Sequence, residues 1–294
     1  MNFKPLTLSD ADEVKPYLDA ARSKTCDYTV GGLFMWRNFY KTEYSAENGV
    51  FYSKMHYPDG KLYYNVPLSL KRDDSVKTFT EKIIEKDGSI SYMTVPQEYL
   101  CDFDIPNAET VITEQRDYAD YVYTSEQLIT LAGHKLKGQR NQINQFMRSV
   151  RDWEFKDIND VGTESVLEFF RSLSHPDENA PELKRAEDKI VTEVLENLPD
   201  YKMFGGVLFA NGKIEGFSLG EKVGDTLFTH VEKADRNFKG SYQMVVNQFS
   251  AKFGSDVKFI NREDDAGDMG LRTAKLAYHP AEMPKKYLVT VRKK

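Results

Sequence analysis

The dipeptide Asn211-Gly212 constrains the fold of this chain most strongly, because it lies between two β-prone segments. A type I′ turn needs positive φ at both central residues, and Asn-Gly adopts that conformation at little cost. Residues 202–210 and 213–222 are therefore predicted to form a β-hairpin. Gly224-Asp225 offers a second tight turn before a predicted strand at 226–233. The second half of the chain thus contains an antiparallel meander of three strands.

Helical and strand patterns on both sides of the meander complete a characteristic order. Amphipathic segments at 163–173 and 182–198 are predicted helices that precede it. After the meander come a helix at 242–253, a buried strand at 257–260, a short helix and a last strand at 287–291. This order resembles that of a GNAT-type acyltransferase domain, in which the third meander strand leads to a helix amino terminus that binds the donor's phosphates.

The amino-terminal half shows a related pattern of helices and strands. Ser9 is placed to cap a first helix, whose first turn is acidic. Aromatic-rich segments at 51–56 and 62–66 flank the turn Pro58-Asp59-Gly60 and predict a hairpin. A helix is predicted at 76–85, and extended segments follow it. This half is therefore predicted to be an α+β domain as well.

The repeated helix-then-meander pattern predicts an α/β (α+β) protein built from tandem GNAT-like domains. Each domain would have a mixed, mostly antiparallel sheet flanked by helices. We expect a GNAT-like domain at 1–123, connecting helices at 124–151, and at 152–294 a second GNAT-like domain that carries the active site.

Composition excludes several other classes of protein. The chain has 294 residues, of which 40% are hydrophobic and 29% charged, which is typical of globular domains. No apolar stretch is long enough to span a membrane and no signal-peptide pattern occurs, so we expect a cytoplasmic protein, at most peripheral to a membrane. Cys26 and Cys101 alone cannot form a disulfide framework or a cysteine-based zinc site, and we expect no metal.

A basic helix lies between the two predicted domains. Its polar residues recur every three or four positions, and no acidic residue occurs between Gly133 and Arg151. The pattern is typical either of a solvated helix face or of a ridge that binds a polyanion such as a tRNA acceptor stem. The ridge residues are Lys137, Arg140, Asn144, Arg148 and Arg151.

Candidate catalytic residues lie on the second and third strands of the meander. A turn at Gly224-Asp225 would place Glu221, His230 and Glu232 on one face and pair Leu219 with His230. A carboxylate beside a histidine can tune the imidazole as a general base toward an amine or hydroxyl. Alternatively, His230 is a structural hydrogen-bonding residue, and Glu232 is the preferred candidate.

The donor's phosphates have two predicted binding regions. Gly240 and Ser241 begin a helix whose amide groups can face an anion, and Arg236 and Lys239 add positive charge. The second region follows the strand at 257–260, and its predicted phosphate ligands are Arg272, Lys275, Lys285 and Lys286.

Other residues of this second region have predicted roles in acyl transfer. The Tyr278 hydroxyl could donate a proton to the leaving oxygen or sulfur. Asn261, Glu263 and Asp265 could hold an acceptor ammonium or the amino group of an aminoacyl donor. Alternatively, this stretch is an internally neutralised surface loop with a packed tyrosine.

Three motifs resemble a known bacterial family. They are "HKLKGQRNQINQF", "HVEKADRNFKGSYQ" and "INREDDAGDMGLRTAKLAYHP", the last followed by "KKY". They are similar to proteins classed with the carboxy-terminal catalytic domain of phosphatidylglycerol lysyltransferase, which is related to the Fem aminoacyltransferases. The resemblance implies a tandem GNAT-like fold, aminoacyl-tRNA as donor, and a lipid or peptide amine or hydroxyl as acceptor.

The donor is open to a second interpretation, since GNAT enzymes use acyl-CoA. Here the segment "NFKGSY" departs from the usual phosphate loop Q/R-x-x-G-x-G/A, and the bulky Tyr242 disfavours acetyl-CoA. We expect no tightly bound cofactor, with aminoacyl-tRNA or acyl-CoA as the donor substrate. The other function classes are a non-catalytic GNAT-like module that binds tRNA or another phosphate-bearing ligand, and an oligomeric scaffold.

Overall fold

A computed structural model describes residues 1–21, 23–71, 74–173 and 182–294. The chain divides into two compact units that are discontinuous in sequence. The amino-terminal unit comprises Met1–Asp120, Asp264–Gly267 and Met283–Lys294, and the carboxy-terminal unit comprises Tyr121–Glu263 and Asp268–Glu282. No helix among the described residues is both long enough and apolar enough to span a bilayer.

The amino-terminal unit contains an eight-stranded sheet and three α-helices among its described residues. Its strands are β1 (Lys4–Pro5), β2 (Glu43–Glu47), β3 (Val50–His56), β4 (Leu62–Tyr64), β5 (Leu68–Ser69), β6 (Ser89–Pro96), β7 (Ala108–Glu114) and the last strand of the chain, β14 (Lys286–Lys293). Its helices are α1 (Ala11–Asp19), α2 (Val30–Met35) and α3 (Ser75–Asp87), with 3₁₀ turns at Leu8–Asp10, Cys26–Tyr28, Gln97–Phe103 and Arg116–Tyr118.

The order of this sheet is β1-β2-β3-β4-β6-β14-β7, with β5 beside β3. The predicted hairpin is confirmed: β3 and β4 pair in antiparallel register, and Gly60 has a φ of 81° in the turn between them. The parallel pair β4 and β6 is connected through α3. Helices, meander, helix and parallel strand therefore follow one another in this unit, around a core that includes Tyr44, Phe51 and Tyr92.

The carboxy-terminal unit contains a six-stranded sheet and seven helices among its described residues. Its strands are β8 (Val122–Thr124), β9 (Trp153–Asp157), β10 (Phe204–Ala210), β11 (Lys213–Val223), β12 (Thr226–Ala234) and β13 (Phe259–Asn261), in the order β8-β13-β12-β11-β10-β9. Its helices are α4 (Ser125–Thr130), α5 (Lys137–Ser149), α6 (Ile158–Val161), α7 (Thr163–Leu173), α8 (Glu182–Glu196), α9 (Ser241–Phe253) and α10 (Met269–Leu276).

The predicted meander is confirmed in β10, β11 and β12. Asn211 and Gly212 have φ values of 51° and 75°, so the turn has the two positive φ angles that Asn-Gly favours. The second turn also forms where predicted, because Val223 pairs with Thr226 across Gly224-Asp225. β12 then runs parallel to β13, with α9 between them in sequence, so each unit has a mixed α+β sheet flanked by helices, as predicted.

The last strand differs from the sequence-based expectation. The order of elements predicts that residues 287–291 close the sheet of the second half, but β14 pairs with β6 and β7 in the amino-terminal unit. Val289 and Val291 are fully buried there. Their alternation predicts a strand with an apolar face, but it contains no information on which sheet buries that face.

The compact units also differ from the predicted division at residues 123 and 151. The helices within 124–151 belong to the carboxy-terminal unit rather than forming a separate connector. The reason is packing: α5 contributes the buried side chains of Ile143 and Phe146, and the carbonyl oxygen of Gln142 closely approaches the start of α9.

Gly240 is required at the start of α9 for two reasons. Its φ is 91°, and a Cβ atom there would lie 2.2 Å from the Gln142 carbonyl oxygen. We expect Gly240→Ala to lower the free energy of unfolding by about 1–3 kcal/mol, as non-glycine residues in this conformation usually do. Gly138→Ala within α5, where a Cβ atom meets nothing within 4 Å, is the control and should stabilise the helix by up to about 1 kcal/mol. Urea unfolding curves measure both changes, and equal midpoints for the two variants would contradict the packing described.

Candidate active site

The parallel strands β12 and β13 separate after a short paired segment. Their pairing ends at Phe228 and Asn261, although β12 continues to Ala234. The chain after β13 instead follows Tyr121: the Arg262 amide donates to the Tyr121 carbonyl, which is 3.0 Å away. We call the resulting opening the strand gap, and the side chains that span it are His230, Glu232, Arg262 and Glu263.

An arginine–glutamate ion pair spans the strand gap. Arg262 donates through Nη2 to Glu232 Oε2 at 2.6 Å and through Nε to Glu232 Oε1 at 3.0 Å. The guanidinium carbon lies 4.8 Å from the ring centre of Tyr278 and 5.8 Å from that of Tyr123. Burial lowers the pKa of Arg262, but the charge of Glu232 outweighs it and raises the pKa, so Arg262 stays cationic. The pair is thus a fixed, planar charge arrangement.

Arg262 is only 8% exposed, and its Nη1 atom has no hydrogen-bond partner among the described residues. Buried polar groups are nearly always satisfied, and buried charged groups more so. Nη1 of Arg262 is therefore a buried cationic donor at the strand gap that a water molecule or a ligand oxygen would satisfy.

His230 forms a second bridge across the strand gap. Its Nδ1 lies 2.6 Å from Glu263 Oε1 and its Nε2 lies 3.0 Å from Glu221 Oε1. Burial lowers the pKa of His230, but the hydrogen bonds and charges of the two glutamates outweigh it and raise the pKa to about 10. Both ring nitrogens then donate, and a protonated imidazole cannot accept a proton near neutral pH. This geometry favours the structural alternative for His230 over the general-base role.

The predicted register at His230 is wrong by one residue. Leu219 pairs with Val231 rather than with His230, because the register shifts between Leu219 and Gly220. A β-bulge adds one unpaired residue and reorients the side chains beside it. The predicted proximity of Glu221 and His230 is nevertheless confirmed.

Helix α10 and the residues after it pack against Arg262. Lys275 is 5% exposed, and its Nζ donates to the Arg262 carbonyl oxygen at 2.5 Å. Tyr278 is 4% exposed, and burial raises the pKa of its hydroxyl to about 12. Tyr123 donates its hydroxyl hydrogen to the Lys275 carbonyl at 2.7 Å. Lys275 and Tyr278 thus shape the surroundings of Arg262, whereas Arg272 is partly exposed on the same helix.

The amino terminus of α9 retains the features of an anion site. Gly240 is its N-cap, and the first-turn amides of a helix have no intrahelical acceptor. Arg236 and Lys239 are exposed beside it. The Ser241 hydroxyl donates to the Asp235 carbonyl at 2.6 Å, so this side chain stabilises the loop.

Three predicted ligands have partners in the amino-terminal unit instead. Lys286 is fully buried, and its ammonium lies 2.6 Å from both Asp27 and Asp120. Asp265 is also fully buried, with Arg116 3.5 Å away. Lys285 pairs with Glu114 at 2.9 Å. The sequence shows the charges of these residues but not the carboxylates and arginine that neutralise them in the fold.

A group with metal-ligand geometry occurs in the same unit. Cys26, Asp27 and Asp120 present ligand atoms within 4.8 Å of one another, which is the sole such group among the residues described. The Lys286 ammonium lies against both carboxylates and 3.5 Å from the Cys26 sulfur. The lysine therefore supplies the positive charge that a metal ion would bring.

The basic ridge of α5 is mostly exposed. Lys137, Asn144, Arg148 and Arg151 are all accessible to solvent. Arg140 differs, because its Nη1 donates to the carbonyl oxygens of Leu131 and Gly133 and so fixes the turn after α4. Four ridge residues thus remain available to a polyanion.

The sequence predicts that Arg262 lies at the carboxyl end of the strand at 257–260, where ligands of α/β sheets bind, but it indicates no specific role for Arg262. Tyr123 is a residue of the site that the sequence did not predict. No sequence pattern predicts a role for Tyr123 in the site, because Tyr123 and Arg262, which are in contact in the fold, are more than a hundred residues apart in the chain.

The two mixed sheets, the parallel pair that separates and the helix amino terminus after β12 form the tandem GNAT-like fold that the sequence predicts. The chain belongs to the family described as "Phosphatidylglycerol lysyltransferase, C-terminal", whose profile matches residues 19–290. A relative, an uncharacterised protein from Mycoplasmoides gallisepticum, is 24% identical over 173 residues, which are 58% of this chain and 56% of that protein. The chain thus spans about half the length of that relative.

Solved structures show the same fold. A conserved protein of unknown function from Bacteroides thetaiotaomicron has a TM-score of 0.88 and 28% identity, covering 99% of this chain and 100% of that one. The carboxy-terminal domain of a putative lysylphosphatidylglycerol synthetase from Agrobacterium fabrum has a TM-score of 0.61 and 14% identity, covering 96% and 92%. FemX has a TM-score of 0.60 and 8% identity, covering 98% and 97%.

The charged state of His230 predicts a pH dependence of stability. Its pKa is raised from 6.5 to about 10 by folding, so the stabilisation is complete below pH 6.5 and is lost as pH rises through 10. We expect the free energy of unfolding to fall between these pH values in the parent protein and to fall less in His230→Gln. His134→Gln, at an exposed position, should retain the parent slope. Urea unfolding at a series of pH values measures the slopes, and the same slope in His230→Gln and the parent would refute the charged bridge.

Proposed function

We propose that this chain is an acyltransferase that transfers an aminoacyl group from aminoacyl-tRNA, or an acyl group from acyl-CoA, to an amine or hydroxyl. A lipid head group or a peptide is the proposed acceptor. The observation that supports this most strongly is the strand gap, where buried charged side chains meet beyond the last pair of β12 and β13. Ligands of α/β sheets bind at the carboxyl ends of strands, which is where Arg262 and Glu263 lie.

Glu263 is the side chain best suited to bind an ammonium group. It is 26% exposed, and its Oε1 lies 2.6 Å from His230 Nδ1. Its amide donates to the Asn261 side-chain oxygen at 2.8 Å, which fixes the backbone at this point. In the proposed function, Glu263 holds the attacking amine or the amino group of an aminoacyl donor and accepts its proton. Asp265 is not included in this role, because it is fully buried in the amino-terminal unit.

Glu232 and Tyr278 complete the proposed catalytic group. Glu232 is 16% exposed and holds the guanidinium of Arg262, so its proposed role is to fix that cation in the strand gap. The Tyr278 hydroxyl is proposed to donate a hydrogen bond to the leaving oxygen, and a pKa of about 12 keeps it protonated at neutral pH.

The phosphates of the donor are proposed to bind at the start of α9. Gly240 provides the turn, and Arg236 and Lys239 supply the charge. The exposed ridge of α5 favours aminoacyl-tRNA over acyl-CoA, because a tRNA presents many phosphates and acyl-CoA presents few. The same ridge supports a second candidate function, a non-catalytic module that binds tRNA without transfer.

A transfer assay separates the two candidates. Labelled aminoacyl-tRNA and labelled acyl-CoA are offered in parallel, with phosphatidylglycerol vesicles and a lysine-containing peptide as acceptors. Label in either acceptor supports the enzyme, whereas tRNA binding without transfer to any acceptor supports the binding module.

For the enzyme, Tyr278→Phe should lower the transfer rate about ten-fold or more, which corresponds to about 1.4 kcal/mol of transition-state stabilisation. The fold should persist, because the aromatic ring against Arg262 is retained. Tyr63→Phe in β4 is the matched control and should transfer at the parent rate. A Tyr278→Phe variant as fast as this control would remove the tyrosine from the proposed mechanism.

For the ridge, the double variant Lys137→Gln and Arg148→Gln should weaken tRNA binding and flatten its dependence on salt by about one unit of slope for each phosphate that is no longer bound. The matched control is Lys82→Gln with Lys86→Gln, two exposed lysines of α3. Filter binding at several salt concentrations measures the slope. If both double variants keep the parent slope, the ridge is a solvated helix face.

A further inference from the structure

We propose that Nη1 of Arg262 binds the carbonyl oxygen of the donor's acyl group and stabilises the negative charge that develops on it during transfer. This inference rests on the proposed function, since it assigns a specific atom of the strand gap to the reacting ester or thioester. Nη1 of Arg262 has no hydrogen-bond acceptor within the described part of the protein.

The first support is the geometry of the guanidinium. One edge, formed by Nε and Nη2, is occupied by both oxygens of Glu232 at 2.6–3.3 Å. The rings of Tyr278 and Tyr123 lie against the cation at 4.8 and 5.8 Å. The part of the guanidinium without a partner is therefore its terminal edge at Nη1, and the N–H groups there lie in the plane of the guanidinium. A planar carbonyl oxygen approaching along that edge can accept a hydrogen bond of good geometry.

The second support is the contrast between Arg262 and the other buried cations of the same unit. The His230 imidazole has a carboxylate on each ring nitrogen, and the Lys275 ammonium donates to a carbonyl oxygen. Arg262 is similarly buried, yet one of its nitrogens lacks an acceptor among the described residues. A donor oxygen bound at the strand gap would satisfy it, and the two glutamates that span this gap, Glu232 and Glu263, are both partly exposed.

The third support is the chemistry that such a contact performs. The nitrogen of the acceptor amine forms a bond to the acyl carbon, and the electron pair of the C=O π bond moves onto oxygen. A fixed cationic donor is most effective when negative charge appears, because no reorganisation is needed at that moment. The pair on oxygen then returns, the bond from carbon to the leaving oxygen or sulfur breaks, and the leaving group takes the proton that the amine loses. Arg262 remains protonated throughout.

The first experiment uses the parent protein and needs no turnover. The arginine side-chain ¹⁵N–¹H resonance that disappears in Arg262→Lys identifies Arg262 by NMR. Sodium acetate, whose planar carboxylate stands in for the developing oxyanion, should shift this resonance in a saturable manner. Ethylammonium chloride at the same ionic strength should not. A resonance that acetate leaves in place, or that both salts shift equally, overturns the proposal.

The second experiment uses the transfer assay with the donor that proves active. Arg262→Lys keeps the charge but cannot both pair with Glu232 and reach the carbonyl, so kcat should fall about 10²–10³-fold while the KM for the donor changes little. Arg171→Lys in α7, an exposed arginine, is the control and should match the parent. An unchanged kcat, or an effect confined to KM, would contradict the assignment. If no donor supports transfer, the proposed function fails, and the acetate titration still decides whether Arg262 binds an oxyanion.

Discussion

The structure of the site depends on how briefly β12 and β13 pair. Only Thr226, Leu227 and Phe228 have partners on β13, and the chain then follows Tyr121 instead. Two parallel strands that separate would leave an opening in the sheet, and here ionic side chains span it. Beyond the last backbone pair, ion pairs between side chains connect the two strands. The charges in the strand gap are therefore contributed by residues of β12 and by residues that follow β13.

Charge compensation within each unit separates predicted residues that are buried with an ionic partner from those that stay partly exposed. In the carboxy-terminal unit His230 is neutralised by Glu221 and Glu263, whereas Glu232 and Glu263 retain partial exposure. In the amino-terminal unit the Lys286 ammonium is enclosed by carboxylates. Buried ions of this kind need their partners, since removing one leaves an uncompensated charge in a medium of low polarity. Such ion pairs stabilise the fold, and Glu263, which is partly exposed, is the carboxylate that the proposed function assigns to the substrate.

Local patterns predicted much of the fold and part of the site. The meander followed from Asn211-Gly212, because the turn chemistry depends on two adjacent residues. The proximity of Glu221 and His230 also followed, since a tight turn places them across a hairpin. Their register did not follow, because a β-bulge shifts the strand pairing between Leu219 and Gly220. Arg140 was expected on a polyanion ridge, but its position lets it reach carbonyl oxygens after α4.

The sequence alone determined the order of helices and strands, the mixed α+β class and the family resemblance, because these depend on periodicity, turn residues and short motifs. The tertiary structure decided which sheet receives β14, which unit holds Lys286 and Asp265, and how Arg262 meets Glu232. These depend on contacts between residues far apart in the chain. A side chain's sequence neighbours fix its type of secondary structure, whereas its charge partners and its burial are fixed by the packing of whole elements.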